Sequence, residues 1–231
     1  MTGGVRGQRQ EGGGGERGRK VAETIERLVV GPLATNCYVL KSGAELAVVD
    51  PGGDAEMILA KLQELGGTVK YVIDTHGHID HIAANHEVVE ATGAELLIHE
   101  LDARLLAHPD RNLSGLMGLR ISSPAPSRLL REGDKVVVGD DEMTVLHTPG
   151  HTPGGICLLA ESYAFTGDTL FVDSIGRVDF PGGSEEQMQA SLSRLQAVLR
   201  KETELYPGHG EPGRFGRALF VNPFLGGLLV G

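Results

Sequence analysis

Cysteine is nearly missing from this chain: two residues, Cys37 and Cys157, stand far apart among 231. That spacing excludes a disulfide framework and a cysteine-based zinc cluster, and it fits a reducing compartment. Both cysteines are expected to be small buried hydrophobes, not nucleophiles. Positive charge is also short, with 21 Lys and Arg against 31 Asp and Glu and a net charge of -10. No basic stripe offers itself to a nucleic-acid backbone. Long apolar runs are absent too, and the apolar tail after Phe224 is too short to span a bilayer, so no membrane partner is expected. Residues 1–20 are dominated by Gly, Arg, Gln and Glu, with the run Gly12 to Gly15. They lack the apolar core of a signal peptide and read as a disordered tail, which makes a cytoplasmic location the expectation.

What is present is a chain with 40% hydrophobic residues, enough to bury a large core. Residues 21–231 are expected to form one domain. Strands are expected at 25–30, 36–41 and 45–50, then a turn, Asp50-Pro51-Gly52-Gly53-Asp54, in which Asp54 caps a helix carrying Met57, Ile58, Leu62 and Leu65. A strand at 69–74, a helix at 81–91, a strand at 95–98, a helix at 99–107 and a loop through Ser127 complete the first half. The second half reads as strands at 135–138, 143–147, 156–160 and 163–167. A helix then opens on Ser184 and Gln187 as a capping box, and a strand covers 204–206.

The chain is organised around Val72-Ile73-Asp74-Thr75-His76-Gly77-His78-Ile79-Asp80-His81. An apolar strand stops there and three imidazoles and a carboxylate follow at once. His76 and His78, two apart in extended backbone, project to the same side and can reach one metal ion. Asp80 and His81 are angled toward a second. An ion with an open position needs three protein ligands, so others must come from elsewhere. Three stretches offer one each at a strand's end: Thr148-Pro149-Gly150-His151-Thr152-Pro153-Gly154, Phe165-Thr166-Gly167-Asp168-Thr169 and Tyr206-Pro207-Gly208-His209-Gly210. His86, His99 and His108 fall outside these motifs and are expected on the surface or in ordinary hydrogen bonds.

This ordered set, HxHxDH, Gly-His-Thr-Pro-Gly, Gly-Asp-Thr and a late Pro-Gly-His, resembles the metallo-β-lactamase-fold hydrolases and, within them, the short bacterial glyoxalase II-like branch. The resemblance implies an α/β (α+β) fold, the αββα four-layer sandwich. It implies that His76, His78 and His151 bind one metal, that Asp80, His81 and His209 bind a second, and that Asp168 bridges both. Asp80 and Asp168 then also steer the attacking hydroxide. Asp50 of the Asp-Pro-Gly turn sits behind the metal loop in such proteins. Two divalent ions per chain follow, zinc by expectation, although His and carboxylate ligands suit iron and manganese as well.

By the same resemblance the activity is hydrolysis of S-(2-hydroxyacyl) thiols by a metal-bridging hydroxide, with a small-molecule thioester as partner and a monomer or homodimer as the assembly. β-Lactamases of this fold usually lack His81, and many carry Cys where this chain has Asp168. RNA-processing relatives normally add an RNA-binding arm. The long glyoxalase II enzymes have a helical extension not expected here, and their thiol-holding tyrosines are replaced by Asp179 and Glu211. The motif Gly176-Arg177-Val178-Asp179-Phe180 also occurs in persulfide dioxygenases, mononuclear iron oxidoreductases of the same fold, which is the alternative. Arg177 is expected to hold the carrier's negative charge; pairing with Asp173 or Asp179 is the competing role.

Overall fold

The computed structural model describes residues 24–226. The expected tail at 1–20 lies outside them. The first half runs β1 (Thr24–Val30), β2 (Thr35–Ser42), β3 (Glu45–Val49), α1 (Ala55–Leu65), β4 (Thr68–Ile73), α2 (Ile79–Ile82), α3 (Asn85–Thr92), β5 (Glu95–His99), α4 (Ala103–Leu106) and β6 (Arg128–Leu130). The second runs β7 (Lys135–Val138), β8 (Asp141–His147), β9 (Ile156–Leu159), β10 (Tyr163–Gly167), α5 (Glu185–Val198), β11 (Glu204–Pro207), β12 (Gly213–Arg214) and α6 (Phe215–Val221). Each half makes its own sheet, β1-β2-β3-β4-β5-β6 and β12-β11-β10-β9-β8-β7.

Period-two alternation explains why these sheets stack with helices outside them. In β2, Tyr38 and Leu40 face the second sheet whereas Cys37 and Val39 face α1, α2 and α3. β3 repeats the pattern, with Ala47 and Val49 inward and Leu46 and Val48 outward. In the second sheet Tyr163 and Phe165 point inward and Ala164 points to α5 and α6. Both faces of each sheet are therefore apolar, and the only arrangement that covers all four faces is helix, sheet, sheet, helix. Both cysteines are fully buried, as expected. Among the described residues no helix is long and apolar enough to cross a membrane.

Several local expectations are corrected. One helix over 81–91 is in fact two, α2 and α3, because the Ala84 N–H donates to the Pro51 carbonyl at 2.9 Å instead of to its own helix. The Asp-Pro-Gly turn packs hard against α2: a Cβ on Gly52 would lie 1.6 Å from the Asp80 carbonyl oxygen. Asp54 does not cap α1; it sits in the left-handed region with φ 48°, and its Oδ2 accepts the Gly31 N–H at 2.8 Å. The helix expected over 99–107 shrinks to α4, since His99 still belongs to β5. β6, β12 and α6 had no counterpart in the sequence reading. Half of the expected capping box on α5 forms: Ser184 Oγ accepts the Gln187 N–H at 3.3 Å, whereas the Ser184 N–H donates to the Gly150 carbonyl at 2.8 Å and not to the Gln187 side chain.

The inward faces meet in an aromatic knot. Phe165 is fully buried, with its ring centroid 5.3 Å from that of Tyr38 and 5.5 Å from those of Tyr163 and Tyr206. Phe165→Ala removes the ring that joins the sheets and should cost about 3–5 kcal/mol in denaturant unfolding; a loss below about 1 kcal/mol would show that the knot is not central to the core.

Candidate metal centre

All seven expected ligand residues arrive at one edge of the sandwich, where β4, β8, β10 and β11 end. β4 stops at Ile73, and the next residues form an extended loop into α2. His76, His78 and His81 are buried there. Three groupings can each hold an ion: His76, His78 and His151; Asp80, His81 and His209; and His76, His81 and Asp168. In each, the candidate ligand atoms lie within 4.8 Å of one another.

Asp168 stands between the first two groupings. Its Oδ2 is 3.5 Å from His151 Nε2 and 3.6 Å from His209 Nε2, and its Oδ1 is 3.5 Å from His81 Nε2. The buried Nε2 atoms of His76 and His81 and Oδ1 of Asp168 have no hydrogen-bond partner. Orphaned nitrogens and a carboxylate oxygen converging at this separation are what a pair of cations would satisfy, and oxygen and nitrogen donors without cysteine leave positions open for water. The residues therefore fit a dinuclear centre.

Buried carboxylates fix the imidazoles from behind. Asp50, at φ 54°, accepts the Thr75 N–H and the Thr75 hydroxyl, both at 2.7 Å, and its Oδ2 lies 2.9 Å from His81 Nδ1. That contact directs His81 Nε2 into the centre. Among the described residues Asp102 touches no imidazole but ties together the loops that carry the other grouping. Its Oδ2 accepts the Gly77 N–H at 3.0 Å and the Thr152 hydroxyl at 2.6 Å, and its Oδ1 accepts the Gly154 N–H at 2.6 Å. One carboxylate thereby joins the His76-Gly77-His78 loop to the His151 loop. The His151 ring is oriented by the Arg177 carbonyl, 2.7 Å from Nδ1, which leaves Nε2 toward the centre. Asp80 Oδ2 accepts from Thr35 Oγ1 at 3.2 Å and lies 3.1 Å from His209 Nε2. The His209 loop is held by Asn36, whose Nδ2 donates to the Pro207 and Gly210 carbonyls at 2.9 and 2.8 Å.

Asp102, Thr35 and Asn36 were missed in the sequence reading. No motif marks them. Glycine was the more legible signal: a Cβ on Gly208 would lie 2.3 Å from Asp168 Oδ1 and 2.7 Å from His81 Cε1, so only glycine lets the last loop close over the ligands. His99 stacks on His147 with centroids 4.2 Å apart, away from the ligands, and His86 is exposed.

The charges are polarised by this crowding. Burial opposes ionisation of Asp80, but His81 and the His209 hydrogen bond outweigh it and hold the carboxyl well below its ordinary range. Burial likewise works against a charged His81, yet Asp50, Asp80 and Asp168 raise it to about 10. His78, desolvated and beside His151, is depressed to about 3. His76 and His78 are thus held as neutral imidazoles by burial, whereas His81 and His209 are held protonated by the carboxylates beside them, a charge that a cation could replace.

Above the ligands lies a cavity of 630 Å³. His78, Asp80, His151, Asp168 and His209 form its floor, and Leu33, Leu113, Leu116, Met117, Phe171, Ile175 and Phe180 its walls. Arg177 lines it as well. Its guanidinium is bound by Asp179 through two contacts of 2.7 and 2.6 Å and stacks 4.0 Å above the Phe180 ring.

Comparison with known proteins adds to this geometry. The pattern described as Metallo-beta-lactamase superfamily matches residues 30–209. The hydroxyacylglutathione hydrolase GloC of Haemophilus influenzae is 32% identical over 206 residues, covering 87% of this chain and 97% of its own. The crystal structure of BLEG-1 B3 metallo-beta-lactamase is similar with a TM-score of 0.84 at 33% identity, over 87% of this chain and 99% of that one. TTHA1623 in a di-iron-bound form gives 0.79 at 35% identity, over 87% and 100%. ETHE1 from Myxococcus xanthus gives 0.70 at 30% identity, over 88% and 85%.

The two supporting carboxylates should separate by metal. Asp50→Asn loosens His81 and should lower affinity for the second ion by about 10- to 100-fold, whereas Asp102→Asn loosens the loops of His76, His78 and His151 and should act on the first by a similar factor. Competitive chelator titration with stepwise stoichiometry reads both; identical losses at the two steps in both variants would contradict separate support.

Proposed function

We propose, for a chain that belongs to the metallo-beta-lactamase superfamily, that the cleft hydrolyses thioesters of 2-hydroxy acids, releasing the acid and a free thiol. The carrying observation is Asp168, whose two oxygens face the His151 side and the His81 side of one buried cluster. Similarity to GloC of Haemophilus influenzae supports the choice of thioester.

His76, His78 and His151 would hold one ion, Asp80, His81 and His209 the other, with Asp168 shared. When bound, two divalent ions supply a water acidified toward neutral pH and Lewis-acid polarisation of an acyl oxygen. The rest is the work of the chain. Asp80 and Asp168 accept hydrogen bonds from a water at the cleft floor and aim its lone pair at the acyl carbon. Asp50 keeps His81 from turning and Asp102 fixes the loops of His76, His78 and His151 as charge develops, so no reorganisation is needed during reaction. The apolar walls, Leu113, Phe171 and Ile175 among them, exclude bulk water and seat the substrate's carbon skeleton.

The leaving group is what favours a thioester. A thiolate departs without a proton, and among the described residues no Lys, Tyr or Cys lines the cavity to supply one. Opening a lactam expels a poorer leaving group, an amine nitrogen that must be protonated, and this cleft offers less for that step despite the likeness to BLEG-1. A second reading, oxidation of a persulfide at a single iron, rests on the loop Gly176 to Phe180, and the likeness to ETHE1 is consistent with it. Zinc is the metal proposed for the hydrolase, and iron for the second reading.

Protein loaded with metal should hydrolyse S-lactoylglutathione with no oxygen uptake and with negligible turnover of a chromogenic cephalosporin. Oxygen consumption with glutathione persulfide at one iron per chain, without thioesterase activity, would replace this reading with the second. Asp168→Ala should lose bound metal and hydrolysis together, by elemental analysis and steady-state rates; two tightly held ions and normal turnover in that variant would refute the shared carboxylate.

A further inference from the structure

Beside the metal cleft lies a second cavity of 530 Å³, lined in part by Arg104, Arg111, Glu100, Asp110, Pro153 and Pro181. It does not overlap the metal ligands, yet three chain segments build both. Pro181 follows Phe180, Pro153 stands two residues after His151, and Arg111 stands two before Leu113, and each of these partners lines the metal cleft. The two cavities therefore take part of their lining from the same three segments.

Their chemistry differs. Among the described residues the one Arg that lines the metal cleft, Arg177, is already engaged by the two-pronged contact with Asp179. In the second cavity Arg104 and Arg111 are exposed, and among the described residues no carboxylate pairs with either. Glu100 is occupied by Arg131, at 2.7 Å from both Nε and a terminal nitrogen. With Glu100 engaged by Arg131, Asp110 is the remaining carboxylate of the lining beside the two unpaired guanidiniums.

We propose that this second cavity is a subsite for the anionic end of the thiol carrier, held by Arg104 and Arg111, while the acyl thioester lies over the metal ligands. The inference rests on the thioester reading and deepens it: the substrate is an extended thioester whose thiol bears carboxylate or phosphate groups several bonds from sulfur. A planar guanidinium binds either group through two parallel hydrogen bonds, which suits two arginines on neighbouring turns to a tail with more than one negative charge. Because the anion is remote from the acyl carbon, its binding is equal in ground and transition states and shows in KM, not kcat.

The test compares metal-loaded wild type with the Arg104→Ala/Arg111→Ala variant in calorimetric binding of glutathione and, separately, coenzyme A, with the two thiols distinguishing carboxylate from phosphate recognition. Loss of two charged contacts should weaken the preferred thiol by about tenfold or more. In kinetics KM for its lactoyl thioester should rise by a similar factor with kcat unchanged, whereas neutral S-lactoyl-N-acetylcysteamine should be unaffected. The Arg104→Lys/Arg111→Lys variant should recover part of the affinity. Equal binding of both thiols to wild type and the Ala variant, or no binding to wild type, would overturn the subsite. Arginine-dependent binding without hydrolysis of any thioester would overturn the reaction and leave the subsite standing.

Discussion

Everything at this edge of the molecule depends on holding buried imidazoles and carboxylates together when they cannot satisfy one another. His76 Nε2, His81 Nε2 and Asp168 Oδ1 are enclosed by protein and have no hydrogen-bond partner there. Groups left in that condition favour any rotation that would find one. The structure opposes such rotation at His81 with Asp50 and fixes the loops of His76, His78 and His151 with Asp102, each carboxylate buried and each spanning two segments. The sandwich supplies what those carboxylates need, a rigid platform whose strand ends lie side by side.

The glycines belong to the same constraint. Gly52, Gly176 and Gly208 each stand where a Cβ would collide with the backbone or carboxylate of Asp80 or Asp168. They do not simply make turns. They let three loops approach two aspartates closely enough for one carboxylate to serve both halves of the cluster. The strained Asp50, with positive φ immediately before Pro51, marks another point where local comfort yields to the site.

Much of this was legible in the sequence because its causes are local. The alternation in β2 and β3 dictates both buried faces of the first sheet, and the spacing of His76, His78, Asp80 and His81 reports a strand running into a helix. What was not legible depends on contacts distant along the chain. The break between α2 and α3 is made by the Pro51 carbonyl, and the shortening of α4 goes with the use of Asp102 by Gly77 and Gly154. A carboxylate whose partners lie 25 and 52 residues away leaves no periodic trace. Asp54 was misread because the turn chemistry fits a cap equally well; its real partner, the Gly31 N–H, belongs to another loop. The Arg177 and Asp179 pair was visible as an option in the sequence, and the folded loop brings the two side chains together at 2.6 and 2.7 Å.

The order of strands carries a consequence for how the molecule is assembled. Every strand of the first sheet precedes every strand of the second in the chain, and the turn between Leu130 and Lys135 joins them. His76, His78, Asp80 and His81 belong to one half, and His151, Asp168 and His209 to the other. Cut at that turn, each half would keep its own sheet but hold only part of either ion's ligand set. A divalent cation would then add ligand bonds across the apolar interface that already joins the two halves.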